Sequence, residues 1–390
     1  MIKSNEAFVY IGSWSLKGGK GGLGLYKFNE DTGEINLINM LNEELSYSYI
    51  TLDQRRGILY CGVDTDKHPA LRAGCGGCLY AYSINPDTGE ITELNHVPTY
   101  CPQPSYVSVD TNGKFLVASM HSSMDSVTKV EKDAFGTPCV HIEFSDAGVL
   151  LYALNEDGSI GKLLDIQIHK GSGPKPRQLQ PHAHCAVIAP QGDLFAACDK
   201  GNDSIYMYRI DKENWKLILN GNRPYLSRPG RAPRYCAFHP TLPFFFNNNE
   251  MEMEIDSYKY DKSGNLEHLS TVRSLPEDYC VPSGARYSQQ DFQISPDGKY
   301  IYALAQGFYN GISVFLVDQG TAALKLIQYV PVDGAWPRGF SFSPNHKYLV
   351  VACLSSGDIK SFSIHENGTL TPTEFGCIQT SANCATFYKP

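Results

Sequence analysis

Short runs in which apolar and polar residues alternate recur along the whole chain, each bounded by Gly, Pro, Asn or Asp. Alternation with a period of two marks a β-strand with one buried face, and the bounding residues are those that turns require. Two units take turns. The first is an apolar alternating strand, a turn, and a second strand that ends in small or polar residues. It occurs at 49–53 with 57–62, 105–110 with 114–119, 184–190 with 193–199, 234–240 with 243–249, 290–296 with 299–305, and 338–344 with 347–353. The second is a hairpin around an Asp-x-Gly or Asn-Gly turn, at 24–38, 77–94, 149–164, 204–219, 254–269, 311–327 and 358–374.

The hairpin thus appears seven times and the other unit six times, leaving one unmatched strand at each chain end. Residues 383–390 read as the first strand of the missing unit and residues 7–13 as its second. Four-stranded repeats of roughly 50 residues are the sign of a β-propeller. The pattern predicts an all-β fold, a single seven-bladed propeller over residues 1–390. One blade is closed by pairing the C-terminal strand with the N-terminal strands, which removes the open edges of a linear array.

Composition agrees: aromatics make up 12% of the 390 residues and charged residues only 19%, a balance suited to strands. A net charge of −8 with no basic cluster argues against a nucleic-acid partner. No run of 18 apolar residues and no apolar leader after Met1 lead to the expectation of a cytoplasmic chain that does not enter a membrane. The twelve cysteines are scattered, and Cys198, Cys236 and Cys353 sit inside apolar strand patterns as buried free thiols would. Only Cys75-Gly-Gly-Cys78 has ligand-like spacing, with Cys61 and His68 the nearest further candidates. It lacks a second pair at zinc-finger distance, so no metal and no cofactor are expected.

In a propeller the first strand of each blade lines the central channel. Residues at the start of first strands, or just after second strands, meet at one channel mouth. Pro181-His182-Ala183-His184 brings two like-facing imidazoles there, and Arg234, Arg338 and Glu250 arrive from other blades. Histidines in such a place suit proton transfer.

At these residues the chain resembles the seven-bladed lactonase family. The resemblance rests on Gln180-Pro-His-Ala-His184, Asp199-Lys-Gly-Asn-Asp203, Pro233-Arg-Tyr-Cys-Ala-Phe-His-Pro240 with Asn249-Glu-Met251, Ser295-Pro-Asp-Gly-Lys-Tyr-Ile-Tyr302 and Pro337-Arg-Gly-Phe-Ser-Phe-Ser-Pro344. That family includes propeller-type 6-phosphogluconolactonases and carboxymuconate-lactonizing enzymes. The resemblance implies a small-molecule lactone or sugar-acid substrate and a catalytic set of His184, Glu250 and Arg234. His182, Arg338, Arg286 and Gln306 are the expected substrate-binding residues. Lactone opening needs attack by water on the acyl carbon, with Glu250 or His184 as base and Arg234 stabilising the oxyanion. Lactonization would use His184 as acid or base and Arg234 as anchor; a scaffold without catalysis is a third possibility.

The chain also departs from the family. Where an Arg is common after the strand ending at Ala305, it has Gln306, a neutral amide in place of a planar cationic fork. Arg286 is the candidate substitute, and a substrate less anionic than phosphogluconate, or one bound differently, is expected. Insertions at 64–76 and 120–148 should overhang the mouth as recognition loops, lids or oligomer contacts. No P-loop, dinucleotide fingerprint or Gly-x-Ser-x-Gly elbow is present.

Overall fold

Seven antiparallel sheets of the expected kind follow one another along the chain in a computed structural model that describes residues 2–15, 21–64, 76–124 and 126–390. From channel to rim, the first blade runs Ser46–Asp53, Ile58–Asp64, Gly77–Ile84 and Ile91–Pro98. The second runs Pro104–Val109, Phe115–Met120, Gly148–Leu154 and Ile160–Ile168. The third starts from a very short inner strand, Val187–Ile188, and continues through Leu194–Asp199, Ser204–Asp211 and Lys216–Leu219, with Tyr225–Leu226 added on Ser204–Asp211. The inner strands of the next three are Pro233–Phe238, Tyr287–Ile294 and Pro337–Phe342.

The seventh blade closes the ring as expected. Ala382–Tyr388 is its inner strand and pairs with Glu6–Ser13, Phe8 opposite Tyr388 and Ile11 opposite Ala385. Second strands such as Phe115–Met120 and Phe244–Asn249 are buried at every residue because a neighbouring blade covers each face.

The recurrent glycines serve the contact between blades. Gly89, Gly158 and Gly368 hold positive φ angles of 74°, 87° and 80°, which a Cβ would disfavour. Each gives its carbonyl to a tyrosine hydroxyl on the second strand of the preceding blade, from Tyr10, Tyr60 and Tyr302 at 2.6, 2.8 and 2.9 Å. Turn chemistry and blade packing are therefore one feature.

The insertion at 120–148 forms a two-stranded ribbon, Ser126–Lys132 paired with Pro138–Phe144. Its base touches the channel, since His121 and Met124 line the central cavity. The 64–76 insertion lies almost wholly outside the described residues, as do His68 and Cys75 of the Cys-Gly-Gly-Cys reading; Cys78 is buried in Gly77–Ile84.

Because the closing strand supplies the inner edge of the seventh blade, deleting 382–390 should abolish cooperative thermal unfolding. Shortening the ribbon to a turn should move the melting temperature by no more than a few degrees, because it pairs with itself. A 382–390 deletion that melts like the full chain would contradict the closure.

Candidate active site

Each inner strand begins with an irregularity that sequence alternation does not reveal. Register shifts fall between Tyr47 and Tyr49, Pro104 and Tyr106, Pro233 and Cys236, Gln289 and Phe292, Pro337 and Gly339, and between the pairs Gly12–Cys384 and Ser13–Ala382. A bulge places an extra residue on one strand and re-aims its side chain. Here the residues so placed include Ser48, Ser105, Arg234, Asp291, Arg338 and Asn383, and all of them line a central cavity of about 1210 Å³. The third blade reaches the same result differently. Its ladder breaks before Val187, Ala183 makes an isolated bridge to Asp199, and the His184 amide donates to the Cys198 carbonyl at 2.8 Å. Residues 184–190 are thus less regular than their pattern predicts, because the Asp199 carboxylate takes the His182 amide at 2.6 Å and the Gly201 amide at 2.9 Å.

His182 and His184 both line the cavity and both are buried. Their surroundings differ. His182 Nδ1 lies 2.9 Å from the His121 carbonyl and 3.0 Å from Ser122 Oγ, and its ring stacks on His121 at 4.5 Å. His184 Nδ1 has no hydrogen-bond partner among the described residues. Its ring lies 5.6 Å from His121 and 5.0 Å from Tyr235. Burial, then the charges of Arg234 and Lys200, hold the His184 imidazole well below its ordinary range, so it is neutral at pH 7.

Glu250 follows Phe244–Asn249 and gathers three cations. Lys200 Nζ is 2.7 Å from Oε2, Arg234 Nε 3.1 Å from the same oxygen, and Arg177 3.4 Å from Oε1. Burial works to raise the Glu250 carboxyl, but the charges of Lys200, Arg234 and Arg177 outweigh it and hold it at about 2. Lys200 is drawn down to about 8 by burial against the pull of Glu250. Arg234 is 1% exposed, with its guanidinium 4.7 Å from the Tyr235 ring centre. Its Nε contacts Glu250 without hydrogen-bond geometry, and Nη1 has no partner among the described residues. Of the two arginines expected at the mouth, Arg234 is buried and Arg338 half-buried.

Arg338 lies over the Trp14 ring at 4.5 Å and donates to Gln290 Oε1 at 3.4 Å; burial, then repulsion from Arg234, lower it to about 10. Arg286 stacks toward Trp336 at 5.7 Å and stands one residue before Tyr287, which pairs with Gly307. It therefore borders Gln306, whose buried Oε1 has no hydrogen-bond partner among the described residues. All seven residues expected from the sequence line one cavity. Lys200, Arg177, His121 and Asp291 were missed as individuals. Lys200 lay inside a quoted motif, but its pairing with Glu250 spans 50 residues.

Glu250 is depressed from an ordinary value of 4.5 to about 2, so the stability it contributes is complete above pH 4.5 and is lost as pH falls toward 2. Glu250→Gln should therefore lose on the order of 3 kcal/mol at neutral pH. It should also show a shallower decline than the wild type between pH 4.5 and 2, measured by denaturant melts. An unchanged acid limb would contradict the ion cluster.

The family described as a seven-bladed β-propeller lactonase matches residues 8–387. A Bacillus subtilis 6-phosphogluconolactonase is 29% identical over 370 residues, 93% of each chain, and one from Formosa agariphila is 25% identical over 91% of each. A solved Bacteroides fragilis structure superposes with a TM-score of 0.80 at 26% identity, covering 99% of both chains. A periplasmic gluconolactonase of Pseudomonas aeruginosa superposes at 0.82 with 21% identity over 98% of this chain and 99% of its own, a likeness of fold. Among the described residues no helix is long and apolar enough to cross a membrane.

Proposed function

Because the chain belongs to the seven-bladed β-propeller lactonase family, we propose that it hydrolyses a sugar-acid lactone at the channel mouth, the activity named for its Bacillus and Formosa relatives. One observation carries the reading: His184 Nδ1 and Arg234 Nη1 are buried, have no hydrogen-bond partner among the described residues, and belong to residues that line the same cavity. An unpaired buried donor is costly, and a substrate carbonyl that becomes an oxyanion is a fitting partner for it.

In this reading His184 takes a proton from water as its oxygen attacks the acyl carbon. Arg234 stabilises the resulting oxyanion. Collapse of the tetrahedral adduct breaks the bond to the ring oxygen, which recovers the proton from His184, leaving an open-chain acid. Glu250 is better suited to hold Arg234 and Lys200 in place than to act as the base, since its oxygens already serve three cations.

The cavity also speaks to the substrate. Six cationic side chains, Lys175, Arg177, Lys200, Arg234, Arg286 and Arg338, line it against the carboxylates Glu250 and Asp291, although the chain carries a net charge of −8. That imbalance favours an anionic lactone, with Arg286 supplying the cation that Gln306 lacks. Of the two expectations drawn from Gln306, a substrate less anionic or one bound differently, this reading takes up the second. Core thiols such as Cys61, Cys198 and Cys353 suit a reducing compartment, and we place the protein in the cytoplasm.

The test is a panel of phosphorylated and neutral sugar-acid lactones, with muconolactones as the isomerase control, followed by proton NMR. Ring opening of an anionic lactone is expected. His184→Ala should lower kcat by roughly 10²–10⁴-fold, and Arg234→Ala should lower kcat and raise KM together. Arg286→Ala should raise KM for phosphorylated lactones and leave neutral ones unaffected. Full turnover by His184→Ala alongside an inactive His182→Ala would move the assignment to the other imidazole.

A further inference from the structure

The seam between the third and fourth blades carries a cluster of thiols. At other seams a polar side chain of one blade reaches a backbone atom of the next: Ser105 Oγ donates to the Ala183 carbonyl at 2.8 Å and Asn248 Nδ2 to the Gln290 carbonyl at 2.7 Å. Between the third and fourth blades, where Asp203 Oδ1 accepts the Ala232 amide at 2.8 Å, Cys185 Sγ also meets Cys236 Sγ at 3.4 Å. Cys198, from Leu194–Asp199, completes a group of three whose sulfurs all lie within 4.8 Å of one another. All three are buried, at 0%, 0% and 3% exposure, inside an apolar cluster that contains Ile205, Phe246 and Tyr258.

We propose that Cys185, Cys198 and Cys236 form a binding site for a single soft, thiophilic cation in three-coordinate sulfur ligation, Cu(I) being the ion the donor set suits best. A metal–thiolate bond of about 2.3 Å places trigonal sulfurs about 4.0 Å apart, within the separations that these side chains already hold. Soft sulfur donors select soft ions. With three ligands in a dry apolar shell, the site suits an ion content with three sulfurs better than zinc, whose structural sites take four. A route in exists, because Cys236 lines the central cavity.

The chemistry is ligand exchange without electron transfer. The ion enters as Cu(I) and remains Cu(I); copper–sulfur bonds replace S–H bonds, and the thiol protons pass to solvent. The site is independent of the lactonase reading, and its test does not use activity.

The reduced full-length protein is titrated anaerobically with Cu(I) supplied as its acetonitrile complex, against a coloured Cu(I) chelator. One tightly held equivalent is expected, with a sulfur-to-copper band in the ultraviolet and a sulfur-only shell at about 2.3 Å by X-ray absorption. Cys198→Ser should weaken binding more than about tenfold, whereas Cys353→Ser, a buried thiol of the sixth blade, should not. If Cys198→Ser fails to fold, Cys236→Ala with a wild-type melting curve takes its place. Loss of all copper to the chelator, a nitrogen or oxygen shell, or equal binding by a folded triad variant would overturn the proposal.

Discussion

The inner strands of neighbouring blades are joined mainly by side chains, and the rest of the structure depends on that constraint. Asn383 Nδ2 donates to the Ser48 carbonyl at 2.6 Å, Ser48 Oγ to the Pro104 carbonyl, and Ser105 Oγ to the Ala183 carbonyl at 2.8 Å. Further round, the Asp291 carboxylate accepts from the Phe340 amide at 3.0 Å. Between the sixth and seventh blades the backbones come so close that a Cβ on Gly339 would lie 2.6 Å from the Asn383 carbonyl oxygen. Several of the residues that make these links sit at the bulges. The same irregularity therefore ties the ring together and turns Arg234 and Arg338 into the channel.

Electrostatics then sets what this frame can do. Gathering cations around a channel costs desolvation energy that one carboxylate cannot fully offset, and a buried pair gains stability only when its geometry is good. Glu250 meets that condition for Lys200 at 2.7 Å, while Arg234 Nη1 and the Gln306 amide oxygen are left unsatisfied. Other unpartnered buried groups, such as Ser274 Oγ and Tyr329 OH, lie away from the cavity, so it is the position of Arg234 and Gln306 on its wall that makes a ligand a fitting partner. His184 belongs to the same field, since burial and then the charges of Arg234 and Lys200 keep its imidazole uncharged.

Most of the fold was legible in the sequence because strand alternation and turn residues are local signals. The count of seven and the closure by Ala382–Tyr388 followed from them. His184, Arg234, Glu250 and Arg338 were also legible, since the start of an inner strand and the end of a second strand are positions that a propeller assigns. The bulges were not, because an extra residue in a strand leaves no mark on alternation when the pairing partner is unknown. Lys200 and Arg177 escaped for a related reason: a lysine or arginine in a loop has no functional signature until the fold sets Glu250 against it. The 120–148 insertion was recognised by its spacing, but its ribbon of ion-paired residues, with Lys129 on Glu143 at 2.6 Å and His141 on Glu131 at 2.9 Å, emerged only with the strand register.

The central claim is that bulge-borne Arg234 and the unpartnered His184 form one acyl-binding centre. It is tested most directly by a crystal structure of the protein with a sugar acid, the product of lactone opening. The account predicts the product carboxylate within hydrogen-bonding distance of Arg234 Nη1, its acyl carbon facing the His184 imidazole, and any phosphate directed toward Arg286. A sugar acid bound instead at the opposite end of the channel, near Thr386 and Leu52, with Arg234 and His184 untouched, would contradict it.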